Sequence, residues 1–198
     1  MKALRAYLRQ RSRVTPAARP RLDRQALAKL SARRAIVFTD SADFTVRTAR
    51  DGILHFLMLF ERLLPDAQRS IARAGGAIVK LEADSFLMRF DDATSACRGV
   101  LAMEAALGRL NRGRPRNERL RFSYGIGFGE VLDLEHDVFG LEVNLASRLG
   151  EDMARPGEAL LTPAAAAALD ARTRQRVSFH RSVRFEDRAL RIARLKLR

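Results

Sequence analysis

The chain has 198 residues, 47% of them hydrophobic, which is enough apolar sequence for one domain with a packed core and excludes a wholly disordered chain. Its single cysteine, Cys97, excludes an internal disulfide framework, and no apolar run approaches the roughly 20 residues that cross a bilayer. The net charge of +14 is concentrated at the start, because residues 1–34 contain eleven Lys or Arg and one acidic residue, Asp23.

Residues 1–33 are predicted to form a basic helical arm and linker that is distinct from the folded body. Residues 1–13 favour a short helix with leucines one turn apart. Two prolines indicate a linker over 14–21, after which Asp23 is placed to cap a second helix. A basic arm of this kind can make a weak contact with a membrane surface or a partner, but its composition favours the simpler interpretation, a solvated and partly disordered arm.

The folded body, residues 34–198, alternates between short β-branched runs and longer helical patterns. The first predicted elements are a strand at 35–39, a helix over 46–73 with a break near Pro65, strands at 77–81 and 86–90 joined as a hairpin, and a helix that begins at Asp91 and Asp92. They are followed by a strand pair or one long strand with a bend over 120–134, a helix over 143–153, a strand at 159–162, a helix over 163–170, and one or two strands beyond 177.

This order predicts an α+β fold, with a ferredoxin-like βαββαβ sheet, helices on one face and a C-terminal αββ extension. The free face of the sheet is then available to a partner. RNA-recognition domains share the order of elements, but they need exposed aromatic side chains and a Lys/Arg-Gly-Phe signature. The strand at 86–90 has two Phe residues without that signature, so no specific nucleic-acid binding is predicted.

Two aspartates follow strands that are neighbours in this sheet. Asp40 comes directly after the first strand, and Asp84 lies in the hairpin loop. Both carboxylates are therefore expected at one end of the sheet, where they can share a pair of divalent metal ions. Taken alone, the two residues fit turn formation equally well, since Asp is common in loops.

Five segments resemble, in the same order, the motifs of class III adenylate and guanylate cyclases, and together they span about residues 34–165. The segments are 36–45 (IVFTDSADFT), 75–84 (GGAIVKLEAD), 121–131 (RFSYGIGFGEV), 137–149 (DVFGLEVNLASRL) and 154–161 (ARPGEALL).

The resemblance implies roles for the acidic residues and the base-reading pair. Asp40 and Asp84 match the family's two metal-binding aspartates, which implies two divalent ions, Mg²⁺ or Mn²⁺, as cofactors. Lys80 and Asp137 match the pair that reads adenine. Lys offers only hydrogen-bond donors and an ionised Asp only acceptors, which suits the edge of adenine and not that of guanine.

The resemblance also implies the remaining substrate contacts. Asn144 matches the residue that positions the ribose, and Arg148 matches the one that stabilises charge on the reacting phosphate. Their spacing of four residues independently places them on one helical face. Phe44 and Thr45 lie in the turn matched to the substrate triphosphate.

The implied function is an adenylate cyclase that converts ATP to 3′,5′-cyclic AMP and pyrophosphate for intracellular signalling. In this family the metal aspartates of one protomer meet the base-reading and arginine residues of the other, which implies a homodimer with active sites at the subunit interface. The expected location is the cytoplasm, at the inner membrane face if the basic arm binds there.

Three positions depart from the family's pattern. Asp43, Ala83 and Ser85 stand where the family usually has Gly. If these positions require positive φ, a side chain there strains the loop. The departures leave open a second interpretation, a catalytically weak or inactive pseudo-cyclase that binds nucleotide or a partner.

Overall fold

The computed structural model describes residues 2–197, and in that part of the chain eight strands form one sheet with helices packed on both faces. The strands are β1 (Ser31–Ser41), β2 (Gly76–Glu82), β3 (Ser85–Phe90), β4 (Phe122–Leu134), β5 (Asp137–Phe139), β6 (Ala159–Leu161), β7 (Val177–Phe185) and β8 (Arg188–Leu195). The helices are α1 (Lys2–Arg13), α2 (Arg19–Leu30), α3 (Phe44–Asp51), α4 (Ile53–Arg73), α5 (Ala93–Leu110), α6 (Leu141–Arg148), α7 (Pro163–Ala167) and α8 (Ala171–Arg174).

The strand order confirms the predicted fold class. The strands run β2-β3-β1-β4-β6-β8-β7, and the first four pair antiparallel in the order of a ferredoxin-like sheet. Strand β6 then adds parallel to β4, β8 and β7 complete that side, and the short β5 pairs with the far end of β4. The C-terminal extension therefore has four strands, β5 to β8, and three helices, α6 to α8, more than the predicted αββ.

Strand β1 separates the two faces of the molecule because successive side chains point to opposite sides of a sheet. Ala35 and Val37 pack into the main core beneath α4 and α5, together with the buried face of those helices. Ile36 and Phe38 belong to a second core on the opposite face, which contains Ala146 of α6. The alternation continues to Asp40, which therefore lies on the α6 side of the sheet.

The helices of the ferredoxin-like unit, α4 and α5, lie on one face as predicted, but the other face is not free, because it is partly covered by helix α6. It packs on the face opposite α4 and α5, directly against β4. A Cβ added at Gly125 would overlap the carbonyl oxygen of Ala146, and one at Gly127 would overlap that of Glu142. Two glycines spaced by two on one face of β4 thus let the backbone of the helix touch the backbone of the strand.

The Glu142 carboxylate reinforces this contact. Its Oε2 accepts hydrogen bonds from the backbone N–H of Phe128, at 2.9 Å, and from the hydroxyl of Thr162, at 2.7 Å. Phe128 lies in the stretch of β4 between its pairings with β6 and β5, so a side chain satisfies an amide that no strand reaches. One carboxylate therefore ties α6 to β4 and to the end of β6.

Two local expectations about helices are wrong. The predicted break at Pro65 is absent from α4, and the chain instead leaves the helical path at Gly52, whose φ of 84° is readily adopted only by glycine. Helix α2 begins at Arg19 with Pro20 in its first turn, where a proline is tolerated. Asp23 accordingly lies inside α2, where it accepts hydrogen bonds from Tyr7 and Arg11 of α1.

The glycine contact makes a stability prediction. We expect Gly125→Ala to lower the free energy of unfolding by about 2 kcal/mol or more, because the added methyl group must push α6 off the strand. Gly108→Ala is the matched control, since a Cβ there meets nothing within 4 Å on the exposed side of α5. The control should gain up to about 1 kcal/mol from helix propensity. Urea denaturation measures both variants, and a Gly125→Ala protein as stable as the parent would contradict the packing described.

Candidate functional site

The two predicted metal-binding aspartates lie together at one end of the sheet. Asp84 occupies the two-residue turn between β2 and β3, and its Oδ2 accepts a hydrogen bond of 2.7 Å from the hydroxyl of Ser41. Asp40 precedes Ser41 on β1 and is half-buried. Burial, together with the negative charges of Asp84 and Glu151, raises the pKa of Asp40 to about 6.

This arrangement fits a divalent cation. Because the charges of Asp84 and Glu151 contribute, after burial, to the raised pKa of Asp40, these carboxylates lie close enough for their negative charges to interact. Across the described residues, no third His, Cys, Asp or Glu completes a compact ligand cluster with these two. Mg²⁺ typically binds one or two carboxylates together with the phosphates of a substrate, which matches a two-carboxylate site.

The turn after β1 places Asp43 in the left-handed region, with φ of 65°. Its side chain does not cap α3, and its Oδ2 instead accepts a hydrogen bond of 2.9 Å from the Arg121 guanidinium. The charge introduced by this departure from glycine is thus partly neutralised. Phe44 follows and packs edge-to-face on Phe56 with ring centroids 4.8 Å apart, while Thr45 is exposed beside it.

The hairpin loop contains the second departure. Ala83 has φ of 49°, a conformation that is strained for any residue with a Cβ other than Asn or Asp. Ser85 begins β3 outside the positive-φ region and is buried. The expected loop strain therefore applies at Ala83 and not at Ser85.

The predicted base-reading residues are also brought together. The Lys80 Nζ lies 3.7 Å from an Asp137 carboxylate oxygen. It lies closer, at 2.6 Å, to the Glu82 carboxylate, which the motif comparison did not single out. The hydrogen bond to Glu82 and the charge of Asp137 raise the pKa of Lys80, so the ammonium stays protonated. The signal that was available for Glu82 was its spacing of two residues from Lys80 on one strand.

Helix α6 presents the last two predicted residues. Asn144 is exposed, and Arg148 follows one turn later with about half of its side chain exposed. The Arg148 Nε lies 3.5 Å from Asp152, and its guanidinium carbon lies 5.2 Å from the centroid of the Phe185 ring. The spacing of four residues could have suggested Asp152, whereas nothing in the sequence pattern pointed to Phe185.

The aromatic residues of β3 exclude a base-stacking platform on that strand. Phe86 and Phe90 are buried in the core beneath α4 and α5. Phe86 packs against Phe60, with ring centroids 4.8 Å apart. Single-stranded nucleic acids require exposed rings for stacking, which these side chains cannot provide.

Comparisons with known proteins point to one family. No family model matches the chain. The chain is 28% identical over 134 residues to putative adenylate cyclase 3 of Rhizobium meliloti, covering 66% of this chain and 23% of that protein. It is 33% identical over 143 residues to an adenylate cyclase of Streptomyces coelicolor, covering 72% of this chain and 35% of that protein. The chain thus spans about a quarter to a third of the length of these relatives.

Solved structures give the same result over nearly the whole fold. An adenylate/guanylate cyclase/hydrolase from Silicibacter pomeroyi superposes with a TM-score of 0.69 at 29% identity, over 83% of this chain and 96% of that one. The chain carries a class III adenylate/guanylate cyclase domain. A bacterial light-regulated adenylyl cyclase shares the fold, with a TM-score of 0.72 at 19% identity over 84% of this chain and 52% of that chain.

Six candidate residues of the cyclase domain therefore form two close pairs and one set on a single helix. The pairs are Asp40 with Asp84 and Lys80 with Asp137, and the helix is α6 with Asn144 and Arg148. Within residues 2–197, every helix is too short or too polar to serve as a membrane span.

The backbone strain at Ala83, beside Asp84, should lower the stability of the cyclase domain, and substitution tests this. We expect Ala83→Gly to raise the free energy of unfolding by about 0.5–1 kcal/mol, because glycine adopts positive φ without the Cβ penalty. Ser85→Gly should instead lower it, since Ser85 already has ordinary strand geometry. Thermal unfolding in metal-free buffer compares the stability of both variants with that of the parent. Equal changes at the two positions would show that Ala83 is unstrained.

Proposed function

We propose that this cyclase domain converts ATP to 3′,5′-cyclic AMP and pyrophosphate as a homodimer with two Mg²⁺ or Mn²⁺ ions. The observation that carries the proposal is the approach of Lys80 to Asp137, 3.7 Å apart on different strands. This juxtaposition gives one cationic donor and one anionic acceptor at a single place, as the resemblance to the family requires.

The chemistry of this pair favours adenine. The adenine ring nitrogens accept hydrogen bonds and its exocyclic amine donates one, so a Lys donor and an Asp acceptor complement that edge. Guanine presents the reverse pattern on its Watson–Crick edge, a carbonyl acceptor beside N–H donors. A base that mismatches a charged, hydrogen-bonding pair leaves charged groups unsatisfied, which is a large penalty in a closed site.

Asp40 and Asp84 are the residues that would hold the metal ions. When bound there, a divalent cation supplies positive charge to the phosphates and to the attacking oxygen. The protein contributes the two carboxylates at fixed positions, one on β1 and one in the β2–β3 turn, and Ser41 orients Asp84 through its hydroxyl. This is consistent with a two-metal mechanism.

Asn144 and Arg148 supply the remaining functions from α6. In the proposed reaction the ribose 3′ oxygen attacks the α-phosphorus, a new P–O bond forms, and the bond to pyrophosphate breaks. Asn144 orients the ribose, and the Arg148 guanidinium donates hydrogen bonds to the charge that develops on the reacting phosphate. Rate acceleration then comes from positioning and electrostatics.

Exposed apolar side chains near these residues support the homodimer. Leu81 follows Lys80 on β2, Phe139 ends β5, and Leu141 begins α6; these three side chains are 42–55% exposed. Large exposed apolar side chains close in sequence to polar site residues are typical of protein interfaces. The proposal also places the domain in cytoplasmic signalling and assigns to the basic arm a weak contact with a membrane surface or a partner.

Turnover by the purified protein tests the activity. With Mn²⁺ and either ATP or GTP, we expect cyclic AMP from ATP and little cyclic GMP from GTP. Asp40→Ala should lower turnover on the order of 10²-fold or more, because several kcal/mol of metal-dependent stabilisation is lost. Asp66→Ala is the matched control, because among the described residues this partly exposed aspartate of α4 forms its ion pair with Arg69 in the same helix.

Each alternative gives a different result in this assay. Cyclic GMP as the main product would contradict the interpretation of Lys80 and Asp137. No product from a folded, dimeric protein would favour the pseudo-cyclase, for which the substitutions at Asp43 and Ala83 are the structural motivation.

Mixing of impaired variants tests the shared active site. Asp40→Ala and Arg148→Ala proteins, each with only a low residual activity alone, should regain about a quarter of the parental activity after subunit exchange. Half of the dimers are then mixed, and each mixed dimer contains one intact site built from both chains. No recovery, despite mixed dimers demonstrated by differential tagging, would mean that Asp40 and Arg148 of the same protomer act together.

A further inference from the structure

Arg148 makes two contacts outside the predicted site. Its Nε forms an ion pair of 3.5 Å with Asp152, and its guanidinium lies over the ring of Phe185, 5.2 Å from the centroid. Both charged groups are about half exposed, so the ion pair by itself contributes little orientation. The ring contact is a cation–π interaction within the usual distance limit of about 6 Å.

Phe185 reaches Arg148 because its hairpin is anchored to the turn that follows α6. It ends β7, and the β7–β8 hairpin packs through Ile192 against Leu149 and Leu160 in a core of its own. Arg181 of β7 also donates a hydrogen bond of 3.2 Å to the carbonyl of Met153 in that turn. The ring and the helix that carries Arg148 are therefore parts of one packed unit.

We propose that Phe185 is a positioning residue for Arg148, and that the C-terminal hairpin holds this guanidinium ready for the reacting phosphate. The inference rests on the proposed function, in which Arg148 stabilises developing charge. A free arginine side chain has many rotamers, and ordering it during the reaction raises the barrier. A ring that restricts the guanidinium beforehand lowers that cost without touching the substrate.

The same hairpin offers an internal control. Phe179 of β7 lies under Arg191 of β8, with the guanidinium carbon 5.0 Å from the ring centroid. This second cation–π pair has nearly the same distance, but neither partner belongs to the candidate site. Phe179→Leu therefore reports the general effect of removing a ring from the hairpin.

Steady-state kinetics with ATP and Mn²⁺ test the proposal. We expect Phe185→Leu to lower kcat about 5-fold with little change in KM, because the loss is one cation–π interaction that acts in the transition state. Phe185→Tyr keeps an aromatic face and should retain the parental kcat. Phe179→Leu should also behave like the parent. Equal losses in Phe185→Leu and Phe179→Leu would overturn the proposal.

A double-mutant cycle separates positioning from structure. Phe185→Leu should cost nothing further in an Arg148→Ala background, because its only route to the reaction runs through Arg148. An undiminished 5-fold loss in that background would assign Phe185 a structural role and overturn the inference. Thermal unfolding of each variant confirms that the fold is retained.

A spectroscopic measurement tests the contact without catalysis. In the parental protein, the Arg148 side-chain protons should be shifted upfield by the Phe185 ring current, and the shift should disappear in Phe185→Leu and persist in Phe179→Leu. If Arg148→Ala keeps full activity, the assigned role of Arg148 in the proposed function fails. The ring-current shift still decides whether Phe185 holds the guanidinium, and its absence would overturn the positioning.

Discussion

The contact of α6 with β4, backbone against backbone, fixes much of the candidate site. It exists because Gly125 and Gly127 present no side chain on that face of the strand, and Glu142 fastens the helix by accepting from Phe128 and Thr162. These contacts fix the distance of the helix from the sheet and its rotation about its own axis. Its exposed face then presents Asn144 and Arg148, and the turn after it brings Glu151 near Asp40. A methyl group added at Gly125 or Gly127 would displace α6 and, with it, the site residues that the helix carries.

Charge is distributed unevenly around the site. Asp40 and Asp84 accumulate negative charge at the end of β1, with Glu151 adding to it, which prepares that place for cations. The additional carboxylate of Asp43 is instead paired with Arg121. Of the three departures from the family's glycines, Ser85 has ordinary backbone geometry and Asp43 is a residue type that tolerates positive φ. Backbone strain therefore remains at Ala83, directly beside Asp84. Strain next to a functional group is a common feature of active sites, at some loss of stability.

The features that sequence patterns predicted correctly are those that neighbouring residues determine, such as the alternation and spacing of strands. The alternation and spacing of strands placed Asp40 and Asp84 at one end of the sheet, and the structure confirms that meeting. The break at Gly52 was missed because the proline at 65 is the stronger local signal, yet its position on the exposed side of α4 lets the helix continue. Long-range packing determines on which face of the sheet α6 lies and brings Phe185 close to Arg148. Contacts between such distant segments produce no periodic pattern in the sequence, so they could not be predicted from it.

A crystal structure of the protein with Mn²⁺ and a non-cyclisable ATP analogue, with the metal ions located by anomalous scattering, tests the proposed active site directly. We expect a dimer in which Mn²⁺ lies on Asp40 and Asp84 of one subunit while the adenine lies between Lys80 and Asp137 of the other. Metal bound away from the two aspartates, or a nucleotide whose base and metal ions contact a single subunit, would contradict the proposed site.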